Sequence, residues 1–366
     1  VLLVDYSCAL KLSTPLAVLA AMKEGVGRGV LVKGGRFLES LAAADAVVFD
    51  KTGTLTESRP RVAEVIPGEG YERDDILRTA ACLEEHFPHP VARAVVRKAE
   101  QEGLHHQEEH TEVEYVVAHG IASRLHGKRV LFGSRHYIHH DEGVPVDAMR
   151  EDIERLAREG RSILYLAVDG KLAGLIAIED PLRPEAAPVI RKLLGRGIRV
   201  VMLTGDDERT AAAVAERLGI SEYRSQVLPT DKAEVIRSLQ AEGHTVAMLG
   251  DGINDSPALS AADVGVTLSD GADLAREVAD VVLTECRLDG LVTAVDLSKA
   301  AMRRIRTDFG LIMTLNTVFL ASGLAGFLQP GPSALLHNLT TVGVSLNAMR
   351  PMLKAGAEPQ LEEVSA

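Results

Sequence analysis

Three apolar segments of this sequence each end in an aspartate, and this feature constrains the fold more than any other. The segments are AVVFD at 46–50, IRVVMLTGD at 198–206 and TVAMLGD at 245–251. Short apolar runs that stop at Gly, Thr or Asp turns are typical of buried β-strands. We therefore predict three buried strands that end at Asp50, Asp206 and Asp251.

Helical patterns separate these strands, and the alternation predicts the fold class. The helical patterns are ERTAAAVAERLG and DKAEVIRSLQAEG, and two further short strands are ADVGVTL at 262–268 and ADVVLT at 279–284. A strand–helix–strand rhythm implies a parallel sheet with helices on both faces. Such sheets gather their ligands at the carboxyl ends of the strands, so we expect the polar residues there to share one edge. They are Asp50, Thr204, Asp251 and Asp255.

The expected edge is rich in carboxylates, which suits a metal ion and a phosphoryl group. Mg²⁺ is a hard cation that binds carboxylate oxygens and shares its coordination shell with phosphate oxygens. Lys232 can supply a fixed positive charge to a phosphoryl group. Asp50 taken alone is equally compatible with a nucleophile, a metal ligand and a helix cap.

Four motifs carry a resemblance to a known family. They are DKTGTLTE at 50–57, TGDD at 204–207, PTDK at 229–232 and GDGINDSPAL at 250–259. Together they resemble the phosphorylation-domain motifs of P-type ATPases, which use the haloacid-dehalogenase fold, and the similarity runs through nearly all of the chain. The resemblance implies ATP-driven ion transport through an aspartyl-phosphate, with Asp50 as the nucleophile and with ATP and Mg²⁺ as cofactors.

The resemblance also implies roles for individual residues. Those implied in phosphoryl transfer are Asp50, Lys51, Thr52, Thr204, Gly205, Asp206 and Lys232, and those implied as Mg²⁺ ligands are Asp50, Thr52, Asp251 and Asp255. Soluble phosphatases of the same superfamily carry a general acid/base aspartate two positions after the nucleophile, where this sequence has Thr52. Without that proton carrier we expect slow hydrolysis of the phosphoenzyme, which lets the intermediate persist.

An inserted nucleotide-binding domain is predicted at 67–168. Two of its segments, LEEHFPHPVARAVV and AHGIAS, resemble the family's nucleotide-domain signature and its glycine loop. The first implies that Glu84, His89 and Pro90 bear on the adenine of ATP. The second retains Gly120, which we include as an ATP contact because glycine lets a backbone approach a nucleotide closely.

Apolar segments near both ends of the chain predict membrane helices. Residues 1–22 are apolar apart from two charges, and 309–328 contain no formal charge over twenty residues, which is enough to cross a bilayer as a helix. A second uncharged segment, 333–349, follows a QPGP turn, and the basic MRRIR at 302–306 precedes the pair. We predict a membrane hairpin whose basic flank lies on the cytoplasmic side of the lipid bilayer.

These membrane segments contain candidate ligands for a transported ion. YSCALKLSTP resembles the ion-binding helix of heavy-metal P-type ATPases, and Cys8 matches the last cysteine of that family's triplet. His337 matches the position that carries histidine in the cobalt-type group, and Asn316 and Thr341 are polar residues of the same segments. One thiolate with imidazole and oxygen donors favours zinc, cobalt or manganese, because copper(I) prefers several sulfur ligands.

The predicted architecture is an α/β, haloacid-dehalogenase-like, doubly wound parallel sheet with an inserted α+β nucleotide-binding domain, flanked by transmembrane helices. The boundaries are 1–28 for a partial ion-binding membrane helix, 29–66 and 169–300 for the phosphorylation domain, 67–168 for the nucleotide-binding domain, 301–352 for the membrane hairpin and 353–366 for a tail. EDPLRP resembles the family's hinge-proximal strand end, which implies that Asp180 and Arg183 couple the domains.

Charge, cysteine content and one missing motif limit the partners. Forty basic against fifty-two acidic residues give a formal charge of −12, and no Lys/Arg-rich stripe stands out, which argues against a nucleic-acid partner. Three scattered cysteines do not form a disulfide framework, which fits catalytic domains in the cytoplasm. The Thr-Gly-Glu loop of the family's actuator domain does not occur, so we expect a fragment that needs the N-terminal part of the same pump.

The resemblance implies an integral protein of a bacterial plasma membrane that exports its ion. Two other classes remain alternatives. The first is a soluble Mg²⁺-dependent phosphohydrolase of the haloacid-dehalogenase type, against which Thr52 argues. The second is a catalytically incomplete regulatory or metal-binding fragment. A potassium- or calcium-type P-type ATPase is disfavoured by Cys8 and His337.

Overall fold

The computed structural model describes residues 6–57, 59–85, 90–104, 110–116, 120–125, 127–251 and 253–353, with the backbone alone at 6–8, 110–116 and 253. The described residues form two compact units. The first unit draws its residues from 1–47, 192–199 and 233–366, and the second draws them from 48–191 and 200–232.

Strands and helices alternate through most of the described chain. The strands are β1 Val30–Val32, β2 Ala46–Asp50, β3 Arg61–Pro67, β4 His110–Val116, β5 Gly120–Leu125, β6 Lys128–Gly133, β7 Ser162–Val168, β8 Lys171–Glu179, β9 Arg199–Leu203, β10 Glu222–Arg224, β11 Val246–Leu249, β12 Val264–Leu268 and β13 Val281–Leu283. The helices are α1 Tyr6–Val26, α2 Gly35–Ala43, α3 Arg73–Glu84, α4 Pro90–Gln101, α5 Arg150–Arg158, α6 Ala186–Leu194, α7 Glu208–Leu218, α8 Pro229–Ala241, α9 Ser256–Ala261, α10 Asp273–Val278, α11 Asp289–Leu324 and α12 Pro330–Ala348.

One sheet has seven strands in the order β1-β13-β12-β11-β2-β9-β10. The pairs β11–β12, β12–β13 and β9–β10 are parallel, with Ala247 opposite Val264 in the first of them. The edge strand β1 is antiparallel to β13. All five residues of β2 are buried, as expected of a strand whose two faces are both covered. The strands predicted from the apolar runs are present: β2 ends at Asp50 as predicted, whereas β9 ends at Leu203 and β11 at Leu249, before the predicted ends at Asp206 and Asp251.

The helix after β9 shows how local sequence fixes the position of a strand end. Asp207 is the N-cap of α7, where its carboxylate accepts hydrogen bonds from the main-chain amides of Arg209 at 2.9 Å and Thr210 at 3.1 Å. Gly219 ends the helix with φ of +72°, a left-handed conformation that favours glycine. Because the N-cap residue Asp207 directly follows Asp206, the start of α7 fixes the main-chain position of Asp206.

A second, antiparallel sheet lies in the second unit. Its six strands have the order β3-β8-β7-β6-β5-β4. A buried apolar cluster with Ile76 and Val95 packs α3 and α4 against this sheet, and another with Leu156 packs α5 against it. This is the α+β architecture predicted for the inserted domain, although β8 lies outside the predicted range 67–168 and β3 overlaps that range only at Pro67. The domain boundaries themselves stay a prediction.

Helices α1, α11 and α12 of the first unit pack together. Their shared apolar contact consists of Ala9, Ile312 and Val344, all buried. Within the described part of the chain, one helix, Asp289–Leu324, is long and apolar enough to cross a membrane. Only 17% of its most apolar 18-residue stretch is buried. A core helix of a soluble protein would be mostly buried, so this helix fits a flanking membrane segment. That α12 crosses the membrane as well stays a prediction.

Candidate active site

The carboxylate of Asp50 lies at the end of β2 and is paired with a lysine. Lys232, in the first turn of α8, donates its Nζ to Asp50 Oδ1 at 2.6 Å. Asp50 is 5% exposed and Lys232 is 7% exposed. Because a buried charge is costly unless it is paired, the ammonium group of Lys232 compensates the charge of the carboxylate. A positive charge therefore stands beside the predicted nucleophile.

The chain turns sharply directly after Asp50. Gly53 has φ of +79°, which other L-residues rarely adopt. The main-chain amide of Gly53 donates to Thr56 Oγ1 at 2.8 Å, and the amide of Thr56 donates to the carbonyl of Lys51 at 3.2 Å. Thr52, two positions after Asp50, has an exposed side chain. The turn thus presents a hydroxyl where the soluble phosphatases that the motif resembles carry their general acid/base aspartate.

Arg183 holds this turn from outside. Its Nε donates to the carbonyls of Thr54 at 2.9 Å and Thr56 at 3.0 Å, and its Nη2 donates to the carbonyl of Gly53 at 3.2 Å. The main-chain amide of Arg183 also donates to the carbonyl of Leu55 at 2.9 Å. A buried turn needs partners for its carbonyls, and the guanidinium supplies three of them. The sequence motif identified Arg183 as a hinge residue and did not show this contact.

Lys51 faces away from the solvent and forms an ion pair with Asp206. Asp206 also accepts hydrogen bonds from Ser162 Oγ at 2.7 Å and Thr204 Oγ1 at 3.0 Å. Burial by itself lowers the pKa of Lys51, but Asp206 raises it above its ordinary value. Burial by itself raises the pKa of Asp206, but Lys51 and the two hydroxyl donors hold it below its ordinary value. Sequence reasoning missed Ser162, because nothing local distinguishes a serine at the start of a strand.

A second carboxylate near Lys51 belongs to Asp180. Burial raises the pKa of Asp180, and the nearby hydroxyl of Thr56 and the charge of Lys51 oppose that rise. Asp180 in turn contributes to the raised pKa of Lys51, together with Asp206 and Asp50. Lys51 therefore serves as the shared counter-charge of several acidic groups in the second unit.

Thr204 and Gly205 follow β9, as predicted. Thr204 is 2% exposed, and its main-chain amide donates to the carbonyl of Arg224 at 3.0 Å. At Gly205 an added Cβ would have Val227 O as its nearest neighbour, at 3.9 Å. Packing among the described residues therefore does not require glycine at position 205. The role of Gly205 beside a phosphoryl group stays a prediction.

Two further predicted ligands, Asp251 and Asp255, lie in the first unit after β11. Asp255 is 2% exposed, and a Cβ at Gly250 would lie 2.8 Å from the Cβ of Asp255, so glycine is needed for the chain to pass. The carbonyl of Asp251 accepts a hydrogen bond from the amide of Ala272 at 2.8 Å, and the carbonyl of Gly250 accepts one from Thr267 Oγ1 at 2.8 Å. These contacts fix the main chain that carries both carboxylates.

The predicted nucleotide contacts are described in part. Glu84 ends α3, and burial raises the pKa of its carboxyl to about 7. Pro90 is the first residue of α4, a position that suits proline, and His89 lies outside the described residues. At Gly120 an added Cβ would lie 2.4 Å from Tyr137 Cδ1 and 2.5 Å from the carbonyl oxygen of Phe132. Packing within the sheet therefore already requires glycine at that position.

The predicted ion ligands lie on the packed helices of the first unit. His337 Nδ1 is 3.2 Å from Asn316 Oδ1, and both side chains are buried. Thr341 Oγ1 donates to the carbonyl of His337 at 3.1 Å, a contact within α12. Cys8 lies in α1, but its side chain is outside what the structure describes. The structure thus brings together His337 and Asn316 from two helices.

A buried aspartate at a strand end, paired with a lysine and accompanied by a strand-end Thr-Gly-Asp, defines an α/β enzyme of the phosphoryl-transfer type. The profile of the haloacid dehalogenase-like hydrolases matches residues 44–263, which is more than half of the chain. The chain belongs to the haloacid dehalogenase-like hydrolase family, and the predicted fold class is confirmed.

Curated relatives extend the match beyond this domain. A zinc-exporting P-type ATPase of Mycobacterium marinum is 43% identical over 352 residues, which are 95% of this chain and 48% of the relative. A manganese-exporting P-type ATPase of Mycobacterium tuberculosis (strain H37Rv) is 42% identical over 352 residues, 95% of this chain and 49% of the relative. A probable copper-exporting P-type ATPase V of Mycobacterium tuberculosis (strain CDC 1551) is 37% identical over 350 residues, which are 96% of this chain and 45% of the relative.

A solved structure shows the same similarity. The crystal structure of a zinc-transporting PIB-type ATPase in the E2.Pi state superposes with a TM-score of 0.70 at 36% identity, covering 95% of this chain and 56% of that chain. The predicted resemblance to heavy-metal P-type ATPases is confirmed. The chain spans about half the length of the curated relatives it matches.

Proposed function

We propose that this chain is the catalytic and C-terminal membrane portion of an ATP-driven pump for a divalent transition-metal cation. The pump works through an aspartyl-phosphate on Asp50 and exports the cation across a bacterial plasma membrane, with its catalytic domains in the cytoplasm. The observation that carries the proposal is the buried pair of Asp50 and Lys232, joined at 2.6 Å at the end of β2.

The chemistry of that pair suits phosphoryl transfer from ATP. An oxygen of Asp50 attacks the γ-phosphorus, the bond from that phosphorus to the β–γ bridging oxygen breaks, and ADP leaves with the electron pair. Lys232 is placed to offset the negative charge of the transferred group, which is the main contribution a protein can make to this reaction. Lys51, Thr204, Gly205 and Asp206 line the same end of the second unit's strands and complete the phosphoryl site.

The donor set fits Mg²⁺. The expected ligands are Asp50, Thr52, Asp251 and Asp255, and all four offer oxygen, which this hard cation prefers. When bound, Mg²⁺ neutralises charge on the phosphate oxygens. The protein's own contribution is to fix the main chain at Asp251 and to bury Asp255.

ATP is the proposed phosphoryl donor, and the inserted domain is its proposed binding site. Glu84, His89, Pro90 and Gly120 are the proposed contacts to the nucleotide. The partly buried Glu84 supports this assignment, because a carboxyl with a pKa of about 7 can donate or accept a hydrogen bond at neutral pH. The packing demand at Gly120 gives that glycine a structural reason that is independent of ATP.

Thr52 makes the phosphoenzyme an intermediate that lasts. A threonine hydroxyl does not ionise near neutral pH, so it cannot act as the general acid/base that cleaves the acyl phosphate in the soluble phosphatases. Cleavage then depends on an actuator domain in the N-terminal part of the pump. Thr52 therefore favours a pump over a soluble phosphohydrolase, and the weakly buried helix Asp289–Leu324 favours a pump as well.

His337 and Asn316 are the proposed centre of the ion site, with Cys8 and Thr341 as further ligands. Buried polar groups inside apolar membrane segments are functional candidates by default. Imidazole and amide oxygen suit zinc, cobalt or manganese. Relatives named for zinc and manganese agree with this set, whereas the relative named for copper does not.

The test is phosphate incorporation from γ-labelled ATP into the full-length pump, quenched in acid. We expect a metal-dependent, acid-stable phosphoenzyme that disappears in Asp50→Asn. Rapid phosphate release without any phosphoenzyme, and without a response to zinc, cobalt or manganese, would instead identify a phosphohydrolase.

A further inference from the structure

Helices α11 and α12 share a buried polar pair that is separate from the proposed ion ligands. Asn347 Nδ2 donates to Asp308 Oδ1 at 2.7 Å. Asp308 is 2% exposed, and its second carboxylate oxygen, Oδ2, has no hydrogen-bond partner in the described part of the protein. Arg304, one turn before Asp308, donates to the main-chain oxygen of Asn347.

A buried carboxylate oxygen without a hydrogen-bond partner is energetically unfavourable. A buried charge costs several kcal/mol unless a partner compensates it, and acidic residues in membrane segments usually mark paths of ions. The amide of Asn347 is neutral and satisfies only Oδ1. Oδ2 therefore offers a negatively polarised site to a cation from the interior of the helix packing.

An apolar layer separates this pair from the proposed ion site. On α11 the buried residues Asp308, Ile312 and Asn316 are spaced by four, so they lie on one face, about 6 Å apart along the axis. Ile312 packs with Val344 of α12 and Ala9 of α1 in a buried cluster. The order along the helices is thus a polar pair, an apolar layer, and the pair of Asn316 with His337.

We propose that Asp308 and Asn347 form a second binding site for the transported divalent cation, on the side of the apolar layer that carries the basic flank. This inference rests on the proposed function. The donors would be Asp308 Oδ2 and the amide oxygen of Asn347, which a half-turn of the amide brings to the side where Nδ2 now points. Oxygen donors of this kind suit a divalent cation better than copper(I).

The location gives the site its place in transport. The basic segment 302–306 ends two residues before Asp308, and basic flanks lie on the cytoplasmic side of membrane helices. A cation from the cytosol meets Asp308 first and reaches His337 only when the layer of Ile312 and Val344 opens. The site near Asp308 therefore loads the cation, and the layer keeps it from passing freely.

The experiment measures acid-stable phosphoenzyme of the full-length pump while Zn²⁺ or Mn²⁺ alone is titrated. We expect Asp308→Asn to raise the half-maximal metal concentration about tenfold, because it removes one charged ligand, and to keep the maximal phosphoenzyme. Asp308→Glu should keep most of the metal affinity. Asn347→Ala should raise the half-maximal metal concentration, but by less than Asp308→Asn does. Thr314→Val is the control, since Thr314 is exposed on α11 and its hydroxyl donates to the carbonyl of Gly310 within the same helix.

Separate outcomes overturn separate claims. If the wild type forms metal-dependent phosphoenzyme and both Asp308→Asn and Asn347→Ala titrate like Thr314→Val, the second site is refuted and the pump remains. A changed pH optimum in Asp308→Asn with an unchanged metal titration also refutes it, in favour of a proton site. If the wild type itself forms no metal-dependent phosphoenzyme, the proposed function fails, and this inference fails with it.

Discussion

Lys232 Nζ lies 2.6 Å from Asp50 Oδ1, and the two residues are 182 positions apart in the chain. The contact joins the end of β2 to the first turn of α8 within the second unit. It places the positive charge of a lysine beside the carboxylate that the motif DKTG predicts to be phosphorylated. A charge at this position can stabilise the transferred phosphoryl group.

Replacing Lys232 by Met should lower the rate of phosphoenzyme formation by a factor of about 10²–10³, because a fixed charge that stabilises the transferred group is lost. The rate is measured with labelled ATP at saturating Mg²⁺. Lys171→Met is the matched control, since Lys171 is exposed at the start of β8. A wild-type rate in Lys232→Met would show that the pair has no part in phosphoryl transfer.

Replacing Arg183 by Ala should destabilise the second unit by about 2–4 kcal/mol, because three buried carbonyls lose their donor. Urea unfolding and hydrogen exchange at the amides of Gly53 and Leu55 report the effect. Arg129→Ala is the control, since Arg129 forms an exposed pair with Glu142 and should cost at most about 1 kcal/mol. Equal effects of the two changes would contradict the proposed role of Arg183 in holding the turn.

Glu84 should make stability depend on pH. Its folded-state pKa is raised by burial to about 7 from 4.5, so the folded protein holds a proton that the unfolded chain releases between these values. The contribution of Glu84 to the free energy of unfolding is then largest below about pH 4.5, falls as pH rises, and levels off above about pH 7, with a total loss of up to about 3 kcal/mol.

Glu84→Gln should remove this contribution and be more stable than the wild type above pH 7. Urea unfolding at pH 5, 6 and 8 measures the difference between the two proteins, with Glu85→Gln as the control for an exposed neighbour. A difference between Glu84→Gln and the wild type that stays constant over this range would exclude burial as the dominant influence on Glu84.

Replacing Gly120 by Ala should lower stability by about 1–3 kcal/mol, because the new Cβ meets Tyr137 and the main chain of Phe132 at less than contact distance. Gly205→Ala, with 3.9 Å to its nearest neighbour, should change stability little. Thermal unfolding and the KM for ATP are measured together. Normal stability with a raised KM in Gly120→Ala would show that the glycine serves the nucleotide and not the sheet.

Replacing His337 or Asn316 by Ala should abolish or strongly weaken stimulation of ATPase activity by zinc, cobalt or manganese, because the buried polar pair is lost. Thr341→Val tests the third ligand against Thr340→Val. Both hydroxyls donate to a carbonyl four residues earlier in α12, but the hydrogen bond of Thr340 is exposed to solvent, whereas that of Thr341 is partly buried. If the two threonine variants respond to metal alike, Thr341 is only a helix residue.

The sequence went far toward the fold because its signals are local. The apolar runs that precede Asp50, Asp206 and Asp251 locate the strands β2, β9 and β11, which end at Asp50, Leu203 and Leu249. The Asp207 cap and Gly219 mark both ends of α7 in the same local way. The motif DKTG likewise identified Asp50 without any knowledge of its surroundings.

What the sequence by itself determined is which residue types are available for the proposed chemistry: the carboxylate of Asp50, the hydroxyl of Thr52 and the imidazole of His337 in an apolar helix. Only the tertiary structure decided what holds them. The contacts of Arg183 with the turn, of Ser162 with Asp206 and of Asn347 with Asp308 join residues 39 to 130 positions apart. No periodicity or local propensity encodes such pairs, because they exist only once packing has removed water and left polar groups to find partners.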